Sequence, residues 1–320
     1  MDIKPIDRLL SGSSFFICGR YLKSLPEIER QNVYNHLEYE RFEVKLQEIM
    51  NTYYNDAEQN WYQVIFLHFM QSLGDMKNKN VYRSLAKAVG YNAILRERDK
   101  VERIEALLLG ASGLLKDFYQ DSYTIKLHQE ASYQLSRNEI TPLKSTDWNL
   151  YKVRPQNHPV IRLSQAAKMF SRNEMLLDKL LACRSLADIE DIFMVESSQY
   201  WLTHYVPGNV TPESVKRLGR DKCNMLGINF VVMLQYAYGR YVRDEAIVDR
   251  AYNLLQDLKP ELNVYTKCWR DYGISPKTAY ESQAMLQLVR EYCQKGRCKE
   301  CYVGDMAQQD MSWLDSVEEL

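Results

Sequence analysis

Apolar residues recur along most of this chain at three- and four-residue intervals, the spacing that lines one face of a helix. Val33, Leu37, Val44 and Leu46 follow a Ser24-x-x-Glu27 pattern with Pro26 between, which predicts a capped helix start. Trp61, Ile65, Phe66 and Phe69 form one side of a second helix over about 58–73, closed by Gly74. Residues 81–89 before Gly90 read as a third helix. A stretch capped by Asp99 and running through Ile104, Leu107 and Leu108 toward Leu115 reads as a fourth, and 122–135 as a fifth. Alternation of the strand type is confined to the neighbourhood of 200–206.

Residues 139–160 (EITPLKSTDWNLYKVRPQNHPV) interrupt this pattern with three prolines and no helical face. They predict a long ordered loop, and loops of that length in compact proteins are commonly functional. Helical patterning resumes near 173–183, 185–194, 213–239 and 243–257. Thr211-Pro212 and Ser275-Pro276 each place a capping hydroxyl before a first-turn proline. The expected fold is all-α, a multi-helix orthogonal bundle. Its expected parts are an N-terminal helical half (1–138), the connecting loop (139–160), a C-terminal helical half (161–304) and an acidic tail (305–320). Asp305, Asp310, Asp315, Glu318 and Glu319 without Lys or Arg make that tail a solvated end.

Composition agrees and narrows the classes. At 320 residues and 46% hydrophobic, the chain can bury a sizeable core, while 13 Gly and 9 Pro are few for a turn-rich β fold. A net charge of −1 provides no global field for nucleic acid. The most apolar run, 225–237, is broken by Asn229 and Gln235 and is too short to span a bilayer. No signal-peptide core is present at the N-terminus. Seven cysteines without an export signal fit a reducing compartment, so the expectation is cytoplasmic, neither exported nor in a membrane.

Cys293-x4-Cys298-x2-Cys301 is the most specific local pattern. A two-residue spacer turns two thiolates onto one cation, and Gly296 and Gly304 permit the tight backbone. Arg297 and Lys299 favour the thiolate form. Zinc and an iron–sulfur cluster both take four cysteines, so spacing leaves the metal open. Cys18 and Cys268 are the candidates for a fourth ligand. The other reading is three reduced thiols packed as small hydrophobes. Cys183 and Cys223 are expected to be packing residues.

A second candidate is the polar series Arg154, Asn157, Arg162 and Gln165, entering a helix at Pro159. Two guanidinium forks near a helix N-terminus can hold a phosphate or carboxylate. Alternatively, the arginines tie the loop to the bundle through a carboxylate such as Glu105 or Glu261. Glu261, Asn263, Ser282 and Gln283 are expected to be satisfied interior polar groups, as is Glu105. The histidines lack metal-ligand spacing, and Ser112 in GASGLL lacks a strand-turn-helix elbow.

The chain resembles the bacterial domain-of-unknown-function family 2851. The resemblance rests on FICGRYL (16–22), LEYERFEVK (37–45), IEALLLGASGLL (104–115), YKVRPQNHPVIRLSQAA (151–167), YWLTHY (200–205), GINFVVMLQYAYG (227–239), PELNVYTKCW (260–269) and SQAMLQLVREYCQKGRCKECYVG (282–304). It implies no activity. It does imply that Cys18, in a block that commonly reads Ile-Pro-Cys, is the fourth partner of Cys293, Cys298 and Cys301, and that Cys268 is not. Members are usually longer, with a preceding strand-rich region bearing acidic and histidine residues. Chemistry located there would be absent from this chain or supplied by another polypeptide.

Two functional classes follow. One is a helical scaffold, stabilised by a cysteine metal site, that binds a protein or nucleic-acid partner. The other is an enzyme subunit whose arginine-lined pocket holds a phosphorylated or nucleic-acid substrate. Paired acid–base or nucleophile–base motifs are missing, so whether the chain is an enzyme stays open.

Overall fold

A computed structural model describes residues 18–74, 76–115 and 121–310. Among these the chain is all-α. In order the helices are α1 (Gly19–Ser24), α2 (Glu27–Asn55), α3 (Trp61–Leu73), α4 (Lys79–Val89), α5 (Tyr91–Arg96), α6 (Val101–Ala111), α7 (Ser122–Arg137) and α8 (Pro159–Arg172). After these come α9 (Leu176–Ala182), α10 (Leu186–Phe193), α11 (Arg220–Leu226), α12 (Val232–Val242), α13 (Glu245–Asp257), α14 (Val264–Asp271), α15 (Ala279–Gln287) and α16 (Tyr302–Gln309). A π-helical turn, Gly227–Val231, joins α11 to α12, and a second, Leu288–Cys293, extends α15. Extended pairing among the described residues is limited to two isolated bridges, Glu196 with Arg217 and His204 with Val210. No helix among them is long and apolar enough to cross a membrane.

Several helix starts differ from the sequence expectation, each for a local reason. Ser24 closes α1 instead of opening α2, because its hydroxyl donates to the Tyr21 carbonyl at 2.8 Å. Helix α3 begins three residues later than expected, since Glu58 and Gln59 both take positive φ (49° and 60°) and Asn60 caps instead. Asp99 is not the cap of α6; Lys100 holds that position, and the helix stops at Ala111, short of Leu115. Thr211 starts no helix. Its N–H and hydroxyl both donate to the Thr203 carbonyl, at 2.7 and 3.1 Å, and α11 waits until Arg220. Ser275 gives way to Thr278, whose Oγ1 accepts the Glu281 N–H at 3.2 Å. The first acidic residue of the expected tail, Asp305, lies in α16, and residues 311–320 are outside the described residues.

The chain forms two compact units, Met1–Leu46 with Tyr252–Leu320, and Gln47–Ala251. The boundaries therefore fall within α2 and α13 and not at the 139–160 loop. Helix α6 packs on both α7 and α8, so the segments before and after the loop share one core. In this second unit α3 buries Val64, Ile65, Phe66, Leu67, Phe69 and Met70 completely, the pattern of a helix surrounded on all sides. Phe69 stacks on Phe193 with centroids 5.3 Å apart and meets Phe170 edge-on at 5.4 Å. Gln235 donates from Nε2 to the carbonyls of Leu180 (2.8 Å) and Cys183 (2.9 Å), which satisfies the end of α9 inside the core. In the first unit Val33, Leu37 and Phe42 of α2 are buried, as are Trp269 of α14 and Ala284 and Leu286 of α15.

The interior polar groups expected from sequence are bonded. Gln283 Nε2 and Asn263 Nδ2 donate to the two oxygens of Glu261 at 2.9 and 3.0 Å, and the Glu261 N–H donates to Ser282 Oγ at 3.0 Å. Glu105, fully buried, accepts from Tyr123 Oη at 2.5 Å, from Ser198 Oγ at 3.2 Å and from Trp201 Nε1. Burial raises its pKa, and these neutral donors pull it back down. Glu105→Leu therefore strands several buried donors, whereas Glu105→Gln lets the two hydroxyls turn to accept. We expect the leucine variant to lose on the order of 3 kcal/mol in chemical denaturation and the glutamine variant clearly less, although leucine is the more apolar side chain.

Glu38 of α2 is only partly compensated. It is fully buried, with Oε2 3.3 Å from Arg41 Nη1 and Oε1 without a partner. Burial pushes its pKa up to about 7, with Arg41 opposing. A carboxyl whose folded pKa is raised contributes stability below its unfolded value near 4.5, lost as pH climbs through about 7. The melting temperature of the wild type should fall relative to Glu38→Gln between pH 4.5 and 7, then keep a constant offset, an effect on the order of 3 kcal/mol. Parallel profiles for the two proteins would refute the assignment.

Candidate functional site

The expected polar series is delivered by the loop that precedes α8. That loop is fastened at several points. Leu143 N–H bonds the Ala111 carbonyl at 2.9 Å, and the Trp148 indole donates to the Ser112 carbonyl at 2.8 Å. The Asn78 amide pairs reciprocally with the backbone of Asn149, both bonds at 2.9 Å. Gly113 permits the approach: its φ is +70°, and a Cβ there would lie 1.9 Å from the Leu143 oxygen. Past a 3₁₀ turn at Pro155–Asn157, His158 caps α8, its Nδ1 accepting the Val160 N–H at 3.3 Å. Burial lowers the His158 pKa, which keeps the ring neutral with a lone pair free to accept.

Arg162 lies one turn into α8 and is 8% exposed. Its Nη1 donates to Gln165 Oε1 at 2.9 Å and its Nη2 to Asn157 Oδ1 at 2.6 Å. Both partners are neutral. Among the described residues no carboxylate pairs with this guanidinium; burial lowers its pKa, opposed by Tyr82 and Cys223. Neither Glu105 nor Glu261 serves as the matching acid. Arg162 faces a cavity of about 250 Å³. Leu73, Asn78 and Tyr82 line one side, Asn157 and Pro159 another, and Asp221, Lys222 and Met225 of α11 the third. Lys222 Nζ donates to the Ser72 carbonyl at 2.7 Å. Two cations against one carboxylate give the pocket a positive balance.

Three of the four polar residues expected from sequence thus come together: Asn157, Arg162 and Gln165. Arg154 is exposed and is not among the residues facing the cavity. Asn78, Tyr82 and Lys222 were not legible as site residues. They reach the cavity from helices distant in sequence, and none carries a local motif.

The cysteines form a second constellation. Cys18, Cys293, Cys298 and Cys301 all lie in the first unit; Cys293 feels the other three sulfurs, Cys18 feels Cys301 and Cys298, and Cys301 feels Cys298. Burial pushes the Cys18 thiol up to about 12, with Cys301 and Cys298 adding to the rise. Cys293 is likewise driven up to about 12, by burial first and then by the three other sulfurs. Burial raises Cys301 too, while the N–H groups of Gly304 and Val303 pull it down. Cys183 and Cys223 are buried in the second unit. Among the described residues no group of three His, Cys, Asp or Glu side chains could hold a metal ion, so the expected four-cysteine metal site is not supported there.

The family model described as Protein of unknown function (DUF2851) matches residues 2–264. That span includes Cys18 and the whole Arg162 cavity, and it stops before Cys293. Comparison with curated proteins and with solved structures finds no match. A match over this much of the sequence is decisive for kinship: the chain belongs to the family of proteins of unknown function DUF2851.

Proposed function

We propose that this protein is a helical binding protein whose second unit takes a small phosphate-bearing ligand in the Arg162 cavity. One observation carries the reading: a buried guanidinium faces a cavity with only neutral partners. A buried charge is ordinarily paired, because leaving it unpaired costs several kcal/mol. A fold that keeps such a group beside open space gains from it when an anion arrives. The planar fork suits the paired oxygens of a phosphate, and the N-terminus of α8 contributes the same sign of potential.

Size narrows the ligand. The cavity, about 250 Å³, falls below the ~300–1,000 Å³ of sites for drug-sized molecules. It suits a small phosphorylated metabolite rather than a nucleic-acid strand. Leu73 and Met225 offer an apolar wall for the remainder of the molecule. The lining holds one carboxylate, Asp221, and no nucleophile paired with a base, which favours binding over catalysis.

Thermal unfolding with inorganic phosphate, small phosphate monoesters and matching carboxylates tests this directly. Wild type should gain a few degrees with a phosphate ligand at about a hundredfold its Kd. Arg162→Lys keeps charge without the fork and should lose at least about tenfold in affinity. Arg162→Met should abolish the response while changing ligand-free stability little, since it also removes an unpaired buried charge. No ligand response in wild type, with a large stability loss in both variants, would make Arg162 a structural clamp.

A further inference from the structure

The Arg162 cavity holds a second charged group whose charge goes unanswered. Asp221, in the first turn of α11, lines the same space as Arg162. Among the described residues no hydrogen bond or ion pair engages its carboxylate. We infer that the ligand of this cavity is a short aminoalkyl phosphate, its phosphate on Arg162 and its ammonium on Asp221, an inference that rests on the phosphate-binding reading above.

The cations nearest to Asp221 in sequence are engaged elsewhere. Arg220, one residue before it, pairs with Glu190 at 2.8 Å, and Lys222, one residue after, donates to the Ser72 carbonyl at 2.7 Å. Arg162 turns its fork to Gln165 and Asn157 and not to Asp221. An arginine and an aspartate within reach of each other form a two-pronged pair, because each charge strengthens the other's hydrogen bonds. Here the two face one cavity of about 250 Å³ without meeting. A molecule carrying both signs of charge completes that arrangement: it sets an anion against the guanidinium, a cation against the carboxylate, and fills the space that keeps them apart.

Depth sets the orientation of the ligand. Arg162 is buried, whereas Asp221 is exposed. The phosphate therefore enters first, and the ammonium stays at the rim, where it keeps part of its hydration. Leu73, Pro159 and Met225 supply the apolar part of the lining, which suits a short run of methylenes between the charged ends. Asp221 also acts against competitors. A plain phosphate monoester brings negative charge into a cavity with an unpaired carboxylate and offers that carboxylate nothing in return, so specificity comes through repulsion as well as attraction. Solvent and salt screen an exposed carboxylate, so the preference is several-fold and not thousands-fold.

The test is calorimetric titration of the full chain at neutral pH and low salt, with ethyl phosphate and with 2-aminoethyl phosphate, on wild type and on Asp221→Asn. The ligands differ only in the ammonium group and the proteins only in the carboxylate, so the affinities form a cycle that isolates the pair. Wild type should bind 2-aminoethyl phosphate at least about threefold more tightly than ethyl phosphate, and Asp221→Asn should bring that ratio close to one. Added salt should shrink the wild-type ratio. Should the variant fold poorly, wild type alone decides through 2-hydroxyethyl phosphate, which keeps a donor without the charge and should fall between the other two ligands. Equal binding of all three by wild type, or a preference that survives unchanged in Asp221→Asn, would overturn this inference while leaving phosphate binding at Arg162 intact. Binding of none of them would overturn both.

Discussion

The Arg162 cavity depends on how the 139–158 segment is held, and the decisive bonds are the reciprocal amide pair between Asn78 and Asn149 and the Trp148 indole on the Ser112 carbonyl. A loop of this length is free to wander unless its backbone groups find partners, and each unsatisfied group buried beneath it would cost free energy. Asn78 answers one donor and one acceptor with a single side chain. Trp148 adds a ring edge-on to Tyr82, with centroids 4.9 Å apart. The same α4 residues, Asn78 at its N-cap and Tyr82 within it, then line the cavity. The fastening of the loop and the wall of the site are one construction, so Asn157 and Arg162 arrive with their geometry already set.

Much of this architecture was readable in the sequence, because helical periodicity and short-range spacing are local properties. Cys293, Cys298 and Cys301 could be grouped from spacing, and Asn157, Arg162 and Gln165 from their approach to a proline-led helix. Cys18 stood beside Cys268 as a candidate, and only the family resemblance preferred it, since no local rule links either to the knuckle. What stayed hidden was tertiary. A Ser or Thr before Pro suggests a helix start equally well at Thr211 and Ser275, yet at Thr211 the competing partner is the Thr203 carbonyl, supplied by a turn that sequence does not announce. The division into units was hidden for the same reason: α6 packs on α8 across the loop, and no composition change marks the boundaries inside α2 and α13.

The two π-turns show a further limit of sequence reading and a link between fold and sites. Residues 227–231 and 288–293 carry unbroken helical patterning, and nothing in them signals an i to i+5 turn. Such a turn inserts one residue and rotates everything beyond it relative to what precedes. The first directly follows α11, which carries Asp221, Lys222 and Met225 to the cavity. The second ends at Cys293, the first sulfur of the knuckle.

The Arg162 cavity retains a group that costs stability in the ligand-free chain. An Arg162 replaced by an apolar side chain would spare the desolvation of a guanidinium. Glu38 marks the contrast. Its discomfort is shared with Arg41 one turn along the same helix, no cavity adjoins it among those described, and its consequence is confined to a pH-dependent stability. At Arg162 the uncompensated charge meets open space bordered by further donors. Strain that meets no space has only a thermodynamic outcome, whereas a buried charge beside open space defines the chemistry that would relieve it, an anion.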